Sequence, residues 1–382
     1  MMRPLLRKLT VLLLAFLCIS GLPYALAENA VSKEADIVLT GDIMCLAGQL
    51  IAAKKGSGWN FDYAFESIRP MLFQADAAIG NLETPVAGKE QGVTQFNQEG
   101  NPIINAPVDF LDSVKKVGFD CLVTANNHAF DKGDLGISET IKNLDRYGFY
   151  HCGTNLSDYM QDEVVIMDVN GIKVAVLSYT QFVNTGTAAY KKSGKMFKLN
   201  LIDDYDSFTK IRHDIETAKA RNADYIIVYT HWGVENVNTS NEYQRTTARA
   251  IADLGADLII GSHSHTVQPD EYIETSDGRK VFVIYSMGNL ISSMPRDINH
   301  DTLMIDLHLT KSGGTVLEEL SYMCLTAGNR QGKQFAVLPS RLASSHNVQK
   351  NSMEASIKRT TAILDDIQEV DCFSYVDYDY KF

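Results

Sequence analysis

Two histidines stand at alternate positions directly after an apolar run, in the segment IIGSHSHTVQP at residues 259–269. Alternate side chains of a β-strand leave the backbone on the same face, so a strand through this segment would bring His263 and His265 within a few ångström of each other. Two neighbouring imidazoles suit metal binding, but two polar residues that hydrogen-bond at a strand end explain an isolated H-x-H pair equally well. The rest of the sequence has to decide between these interpretations.

Four further apolar runs, rich in β-branched residues, also end in polar groups. The runs DIVLTGD, ADAAIGNLE, FDCLVTANNH and ADYIIVYTHWG end in Asp42, in Asn81 and Glu83, in Asn126, Asn127 and His128, and in His231. Segments with helical spacing separate them, at residues 107–118, 136–148, 205–222 and 243–255. Strands that alternate with helices predict a largely parallel, helix-covered sheet or pair of sheets. Because ligands bind at the carboxyl ends of such strands, we expect the polar groups to converge there.

Carboxylate, amide and imidazole ligands without a thiolate suit manganese, iron, zinc or magnesium. The candidates exceed the needs of one tetrahedral site, and two ions about 3.5–4 Å apart that share a bridging carboxylate would use them all. His128 adjoins Asn127 and so could lie beside the ions without binding them, where it would protonate a leaving alkoxide. Asp131 and Asp134 are interpreted as turn and capping residues. Asn289, in YSMGNLISSMP, is interpreted as holding a turn rather than lining the site.

The ordered motifs resemble those of the CapA family of capsule synthesis proteins. They are G-D at 41–42, N-L-E at 81–83, N-N-H at 126–128, H-W-G at 231–233 and G-x-H-x-H at 261–265, and the similarity runs from about residue 36 to residue 289. CapA proteins are similar to the calcineurin-like metallophosphoesterases. The resemblance therefore implies an α/β fold of four layers, in which two mixed β-sheets pack face to face between helices.

The resemblance also implies roles for individual residues. It implies metal ligation by Asp42, Asn127, His231, His263 and His265, with His128 as the catalytic histidine and two divalent ions of manganese, iron or zinc as cofactors. The chain departs from the wider superfamily twice. Met44 stands where a D-x-H motif places histidine, and Asn81 and Glu83 stand where a bridging aspartate is usual. We prefer Glu83 as the bridge because a bridge needs negative charge, and we keep Asn81 as a candidate ligand.

The ends of the chain and its charge limit the location and the partners. Basic residues, an apolar run and Ala25 with Ala27 have the order of a secretory signal. We therefore expect a signal peptide at residues 1–27, a CapA-like metallophosphoesterase domain at 28–345, and a C-terminal helix with an acidic tail at 346–382. The protein would be extracellular or at the cell surface, and an uncleaved N-terminal segment would anchor it in the membrane. The net charge of −12 at pH 7 argues against nucleic acid as a partner.

Three functions remain open from the sequence. The first is an exported protein on a metal-dependent phosphoesterase scaffold that serves the synthesis or export of a poly-γ-glutamate-type capsule polymer, as the resemblance implies. The second is a non-catalytic accessory subunit that binds metal or anionic polymer and assembles with membrane-embedded synthesis proteins, which Met44 favours. The third is a general extracellular metallophosphatase or nucleotidase, which Asn127 and His128 keep open. A phosphoester or an anionic polymer is the expected ligand in each case.

Overall fold

Short strands joined by helices make up the described part of the chain. The computed structural model describes residues 32–370 except residues 185, 203 and 331, so the predicted signal peptide and the end of the acidic tail lie outside the described residues. The strands are β1 (Lys33–Ile43), β2 (Lys54–Lys55), β3 (Gly58–Trp59), β4 (Ala77–Asn81), β5 (Gln95–Phe96), β6 (Pro102–Ile103), β7 (Cys121–Val123), β8 (Tyr150–Cys152), β9 (Val165–Val169), β10 (Ile172–Thr180), β11 (Tyr225–His231), β12 (Leu258–Ser262), β13 (Asp270–Glu274), β14 (Lys280–Ile284), β15 (Asn289–Ile291), β16 (Asp301–Ser312), β17 (Thr315–Arg330), β18 (Lys333–Pro339) and β19 (Gln368–Glu369).

The helices connect these strands. They are α1 (Ala47–Ala53), α2 (Asp62–Phe65), α3 (Arg69–Gln74), α4 (Asp109–Val117), α5 (Gly133–Tyr147), α6 (Asp158–Gln161), α7 (Thr187–Lys192), α8 (Asp204–Ala220), α9 (Glu242–Leu254), α10 (Ser340–Ser345) and α11 (Lys350–Thr361). Short 3₁₀ helices lie at Glu66–Ile68, Lys89–Gln91, Met196–Lys198 and Asp297–Asn299. All four helices predicted between the apolar runs are present, as α4, α5, α8 and α9. No helix among the described residues is long and apolar enough to cross a membrane.

Most of the strands form two mixed sheets. The first has the order β18-β17-β16-β1-β4-β7-β8, with β15 beside β1 and β19 beside β17. The second has the order β13-β14-β12-β11-β10-β9. Parallel pairing joins β1 to β4, β4 to β7 and β7 to β8 in the first sheet, and it joins β10, β11, β12 and β14 in the second. The carboxyl ends of these parallel strands carry the predicted ligands.

Alternation along the central strands builds four layers. In β1, Ile37 and Leu39 pack in a core with residues of the second sheet, such as Ile227 of β11, whereas Val38 packs in a separate core. That separate core contains residues of α2, α3, α4 and α10. In the second sheet, Val228 faces a third core with residues of α8 and α9. The sheets therefore pack face to face between helices, and the predicted fold class is confirmed.

The C-terminal part differs from the prediction in detail. Helical spacing extends from about residue 350 to residue 368, but α11 ends at Thr361 and the chain continues to the short strand β19. β19 pairs in parallel with β17, so this segment adds a strand to the edge of the first sheet. The predicted domain boundary after residue 345 falls between α10 and α11, and the division into domains stays a prediction.

Candidate metal centre

The predicted ligands come together where parallel strands of both sheets end. Asp42 lies at the end of β1, Asn81 is the last residue of β4, and His231 is the last residue of β11. The loops after β4, β7 and β12 carry Glu83, Asn127, His128, His263 and His265. All eight side chains are buried, and none is more than 4% exposed. The convergence that the repeated strand endings predict is therefore present.

Glu83 lies between two groups of donor atoms. Its Oε1 lies 3.4 Å from Nε2 of His231, and its Oε2 lies 3.7 Å from Nδ1 of His265. Among the described residues, no hydrogen-bond partner reaches either oxygen. A buried carboxylate without donors is costly, because it has lost water and gained nothing in return. Divalent cations beside the two oxygens would remove that cost, so Glu83 is suited to bridge two ions.

The first donor group is centred on His231. Its Nε2 lies 2.8 Å from Oδ1 of Asn127 and 3.1 Å from Nδ1 of His263. Two ligand atoms each about 2.1 Å from one ion are separated by about 3.0–3.4 Å at octahedral or tetrahedral angles. These atoms therefore have the spacing of ligands that share an ion.

Hydrogen bonds behind His231 orient its ring. The hydroxyl of Ser262 donates to the carbonyl oxygen of Thr230 over 3.0 Å, and its oxygen lies 2.9 Å from Nδ1 of His231. Because the Ser262 proton is used, this oxygen accepts the proton of Nδ1. The lone pair of Nε2 is then directed at Glu83 and Asn127, as a metal ligand requires.

The second donor group contains Asp42 and His265. Nδ1 of His265 lies 3.6 Å from Oδ2 of Asp42 and 3.7 Å from Oε2 of Glu83. Two overlapping triads, Asp42 with Glu83 and His231, and Glu83 with His263 and His265, each offer ligand atoms within 4.8 Å of one another. These buried groups can hold metal, and Glu83 belongs to both triads.

Asn81 lies on the outer side of these groups. Its Nδ2 donates to Oδ1 of Asp42 over 2.7 Å and lies 3.3 Å from Nδ1 of His231, the ring nitrogen that faces away from Glu83. Its Oδ1 is buried and has no hydrogen-bond partner among the described residues. Asn81 therefore positions Asp42 through its amide nitrogen, and only its Oδ1 remains available to an ion.

The H-x-H pair does not lie on a strand, so this part of the sequence prediction is wrong. β12 ends at Ser262, and the backbones of His263 and His265 have φ angles of 87° and 57°. A left-handed backbone costs a residue other than glycine roughly 1–3 kcal/mol, and such strain is concentrated at functional sites. The two ring centroids still lie 5.8 Å apart. A left-handed turn, rather than strand alternation, brings the imidazoles together.

His128 lies beside the centre in a different environment. Its Nδ1 lies 2.7 Å from Oδ2 of Asp131, and the same oxygen accepts a hydrogen bond from the backbone N–H of Ile104 over 2.7 Å. Asp131 does lie in a turn, where its backbone N–H donates to the carbonyl oxygen of His128, but its carboxylate contacts the His128 ring and does not cap α5, so the interpretation as a capping residue is wrong. Asn184 accepts from Nδ2 of Asn127 over 3.1 Å, and its own amide nitrogen lies 3.1 Å from Nδ1 of His128.

Burial sets the charges of the centre. It lowers the pKa of His231 to about 3 and the pKa of His263 well below its usual value, so both rings are neutral at pH 7. Burial, followed by the negative charge of Asp42, raises the pKa of Glu83 well above its usual value. Burial alone would raise the pKa of Asp42 too, but the hydrogen bond of His265 and the charge interactions with His231 and His265 outweigh it and lower that pKa. Without metal, Asp42 therefore carries the negative charge and Glu83 tends to hold a proton.

The glycines of two motifs allow close backbone approach. A Cβ on Gly41 would lie 2.1 Å from the carbonyl oxygen of Gly288, which accepts a hydrogen bond from the backbone N–H of Asp42. A Cβ on Gly261 would lie 2.0 Å from the carbonyl oxygen of Tyr285. Any larger residue would push the segment after β14 away from β1 and β12, so these glycines help to fix Asp42 and the histidine turn.

Comparison with known proteins identifies the family. The profile of the family "Bacterial capsule synthesis protein PGA_cap" matches residues 36–294, which is more than half of the chain. The chain belongs to this family. The match includes every residue of the centre described above and ends before β16.

Two curated relatives support the assignment to PGA_cap. "Capsule biosynthesis protein CapA" of Bacillus anthracis is 32% identical over 263 residues, which is 67% of this chain and 60% of that protein. "PGA biosynthesis protein CapA" of Bacillus subtilis is 32% identical over 279 residues, which is 72% of this chain and 67% of that protein. Among solved structures, TT1561 of Thermus thermophilus aligns over 75% of this chain and 98% of that chain, with 8% identity and a TM-score of 0.38.

Besides the role of Asp131, sequence reasoning missed Ser262 and Asn184 of this PGA_cap centre and gave Asn289 a different role. Ser262 stands inside the G-x-H-x-H motif, and Asn184 stands in a loop without any pattern. Only the fold shows that Ser262 contacts His231 and that Asn184 contacts His128. Asn289 was interpreted as holding a turn, and this is wrong. Its Oδ1 lies 2.9 Å from Nδ1 of His265, so it lines the centre. Met44 is buried, two residues after Asp42 along the chain.

Proposed function

We propose that this protein acts in the synthesis or export of a capsule polymer and that its centre hydrolyses a phosphoester with two divalent metal ions. The observation that carries the proposal is Glu83. Its two buried oxygens face separate donor groups and lack hydrogen-bond partners among the described residues. A bridging carboxylate between two ions accounts for that arrangement, and a site for a single ion would leave one oxygen unexplained.

The residues of the centre divide into those that would hold metal ions and one that would transfer a proton. When bound, a pair of divalent ions supplies an activated water and a clamp for a phosphate group. Asn127, His231 and His263 would hold one ion, and Asp42 and His265 would hold the other, with Glu83 shared. His128 belongs to neither triad, and the 2.7 Å contact with Asp131 fixes its ring. We assign His128 the transfer of a proton to the leaving alkoxide.

The capsule role rests on the family. The names of the two Bacillus relatives describe capsule biosynthesis and PGA biosynthesis, and we extend that process to this chain with an anionic polymer, or a phosphoester precursor of it, as the ligand. A role at the cell envelope, with membrane-embedded synthesis proteins as partners, follows from the same proposal. The fold alone does not distinguish a polymer precursor from another phosphoester.

A second candidate is a non-catalytic accessory subunit. Met44 supports it, because a thioether replaces a nitrogen ligand of the wider superfamily at that position. The centre would then bind metal or anionic polymer without turnover. A general extracellular phosphatase is the third possibility, and a broad substrate range would favour it.

Metal analysis and a phosphoester panel test these functions together. The purified mature protein should contain two manganese, iron or zinc ions per chain and should hydrolyse at least one class of phosphoester. Two bound ions without hydrolysis of any ester would favour the accessory subunit. Absence of bound metal after manganese is added would refute the proposed centre.

Two histidine variants separate holding from proton transfer. His263→Ala should lower metal content and activity together, because it removes a ligand. His128→Ala should keep its metal while turnover of alkyl phosphates falls by about 10²–10⁴-fold, with a much smaller loss on aryl phosphates, whose leaving groups hardly need a proton. His308→Ala, on the partly exposed face of β16, is the matched control. Equal metal loss in the His128 and His263 variants would show that these roles are wrongly assigned.

A further inference from the structure

We infer that Asn289 is an oxygen ligand of the second ion and completes the position that Met44 leaves without a nitrogen ligand. The inference rests on the proposed metal centre and adds a residue outside the ordered motifs that carry the family resemblance. Asp42, Glu83 and His265 supply three protein ligands at this position. Three protein ligands are few for a harder divalent ion, so a fourth ligand that supplies a further oxygen would strengthen the site.

Strand register places Asn289 beside Asp42. β1 pairs in parallel with β4 on one side and with β15 on the other, and Asp42 is the register partner of both Asn81 and Asn289. The Asn289 side chain is buried, with 1% of its surface exposed. Asp42 is thus flanked by two asparagines, and the structure distinguishes them by the atom that each presents.

Asn81 contacts Asp42 through its amide nitrogen, whereas Asn289 directs its oxygen toward His265. Nδ2 of Asn289 donates to the backbone carbonyl of Asn299 over 3.1 Å and contacts the sulfur of Met294 at 3.8 Å. The Asn299 side chain in turn donates to the carbonyl oxygen of His265 over 3.0 Å. With Nδ2 held by a carbonyl oxygen, the amide cannot be rotated without losing that bond. Oδ1 of Asn289 is therefore fixed toward His265.

The geometry around Asn289 repeats the geometry around Asn127. Oδ1 of Asn127 lies 2.8 Å from a ring nitrogen of His231, and that nitrogen lies 3.4 Å from one oxygen of Glu83. Oδ1 of Asn289 lies 2.9 Å from a ring nitrogen of His265, and that nitrogen lies 3.7 Å from the other oxygen of Glu83. The amide nitrogens of both asparagines are anchored at 3.1 Å, one on Asn184 and one on Asn299.

Each proposed ion position would therefore be lined by the same three kinds of atom, which are one oxygen of Glu83, one imidazole nitrogen and one amide oxygen. If this arrangement makes Asn127 a ligand of the first ion, it makes Asn289 a ligand of the second. The alternative is that Asn289 only accepts the Nδ1 proton of His265 and so orients the ring. That alternative turns the imidazole nitrogen nearest to Asp42 and Glu83 into a donor and removes it from the ion.

Substitution by leucine and aspartate tests the ligand role through metal content. Asn289→Leu keeps a side chain of similar size and should reduce the manganese content from two ions to one per chain, or weaken the second ion at least about tenfold. Asn289→Asp retains an oxygen and should keep both ions. Mass spectrometry of the metal content and titration calorimetry with manganese are the measurements. Two ions bound with unchanged affinity in Asn289→Leu would overturn the inference.

A thiol separates a ligand from a residue that only orients His265. Asn289→Cys, loaded with cobalt(II), should show a sulfur-to-cobalt charge-transfer band in the near ultraviolet, because a thiolate binds this ion directly. Asn299→Cys, one side chain farther from the ions, and the unaltered protein with its native thiols should show none. Two bound cobalt ions without the band in Asn289→Cys would overturn the inference. Absence of metal from the unaltered protein would instead refute the proposed centre itself.

Discussion

Replacing Glu83 with glutamine should change stability in opposite directions without and with metal. Glutamine keeps the shape of the side chain and removes its charge. In the metal-free protein, the raised pKa of Glu83 means that the folded state keeps a proton that the unfolded state releases above the ordinary pKa of 4.5. Glu83 therefore contributes a loss of stability to the metal-free protein as pH rises from 4.5 toward the raised value. Glu83→Gln lacks this proton and should lose less.

The size of the effect follows from proton linkage. One retained proton contributes up to about 1.4 kcal/mol per pH unit, so Glu83 lowers the free energy of unfolding by up to that amount for each pH unit between 4.5 and its raised pKa. His265 acts in the same direction above 6.5, because burial, which lowers its pKa, is outweighed by the hydrogen bond to Asp42 and the charge of that carboxylate, which raise it. His231 and His263 have lowered pKa values, so they oppose the trend below pH 6.5, where the unfolded state binds their protons, but not above it.

Urea unfolding of the chelator-treated proteins at several pH values compares the free energy of unfolding of Glu83→Gln with that of the unaltered protein. Glu83→Gln should be the more stable protein at pH 9 without metal. With manganese the order should reverse, because only the unaltered protein gains the free energy of binding both ions. Glu139→Gln, at a surface glutamate that pairs with Lys142, is the matched control. The reasoning would be refuted if the free energy of unfolding fell as steeply with pH in Glu83→Gln as in the unaltered protein, or if Glu83→Gln still bound two ions.

Three further substitutions test other contacts. Asp131→Asn should leave the metal content unchanged and lower the turnover of alkyl phosphates. The loss should not exceed the about 10²–10⁴-fold expected for removal of the His128 acid. A parallel loss of bound metal would contradict this prediction. Gly261→Ala places a Cβ against the carbonyl oxygen of Tyr285 and should lower the free energy of unfolding by about 1–3 kcal/mol or more. Thermal unfolding measures this, and an unchanged melting temperature would contradict the close approach. Met44→His should tighten binding of the second manganese ion about tenfold or more in calorimetry, and weaker binding would show that residue 44 does not face the ion.

The sequence predicted the residues that repeat a pattern and missed those that depend on one contact. Five apolar runs that end in polar groups are enough to predict parallel strands, and the carboxyl ends of parallel strands necessarily share an edge. The positions of Asp42, Glu83 and His231 follow from that rule. Nothing in the period of a strand, however, predicts the left-handed backbone of His263 and His265. Such a conformation is set by packing against other segments rather than by local preference.

Supporting residues were missed for a similar reason. Asp131 follows His128 by three positions in a glycine-rich loop, and a carboxylate there satisfies the pattern of a turn as well as that of a ring-orienting partner. Asn289 is the first residue of β15, a strand of three residues that pairs with β1, which is distant in the sequence. Its role becomes visible only when the register partner of Asp42 is known. Long-range register of this kind is not encoded in any short motif.

The charge of the centre, and with it the attraction of an anionic ligand, depends on how many metal ions are bound. The chain has a net charge of −12, which repels a phosphoester or an acidic polymer at long range. Asp42 and Glu83 are the buried carboxylates of the centre, and burial keeps His231 and His263 neutral. Two divalent ions against two carboxylates leave an excess of about two positive charges, whereas one ion only balances them. Attraction of an anion should therefore depend on the second ion, and at physiological salt it should act only within about 8 Å. A residue that holds the second ion, such as Asn289, would thereby control whether an anionic ligand binds at all.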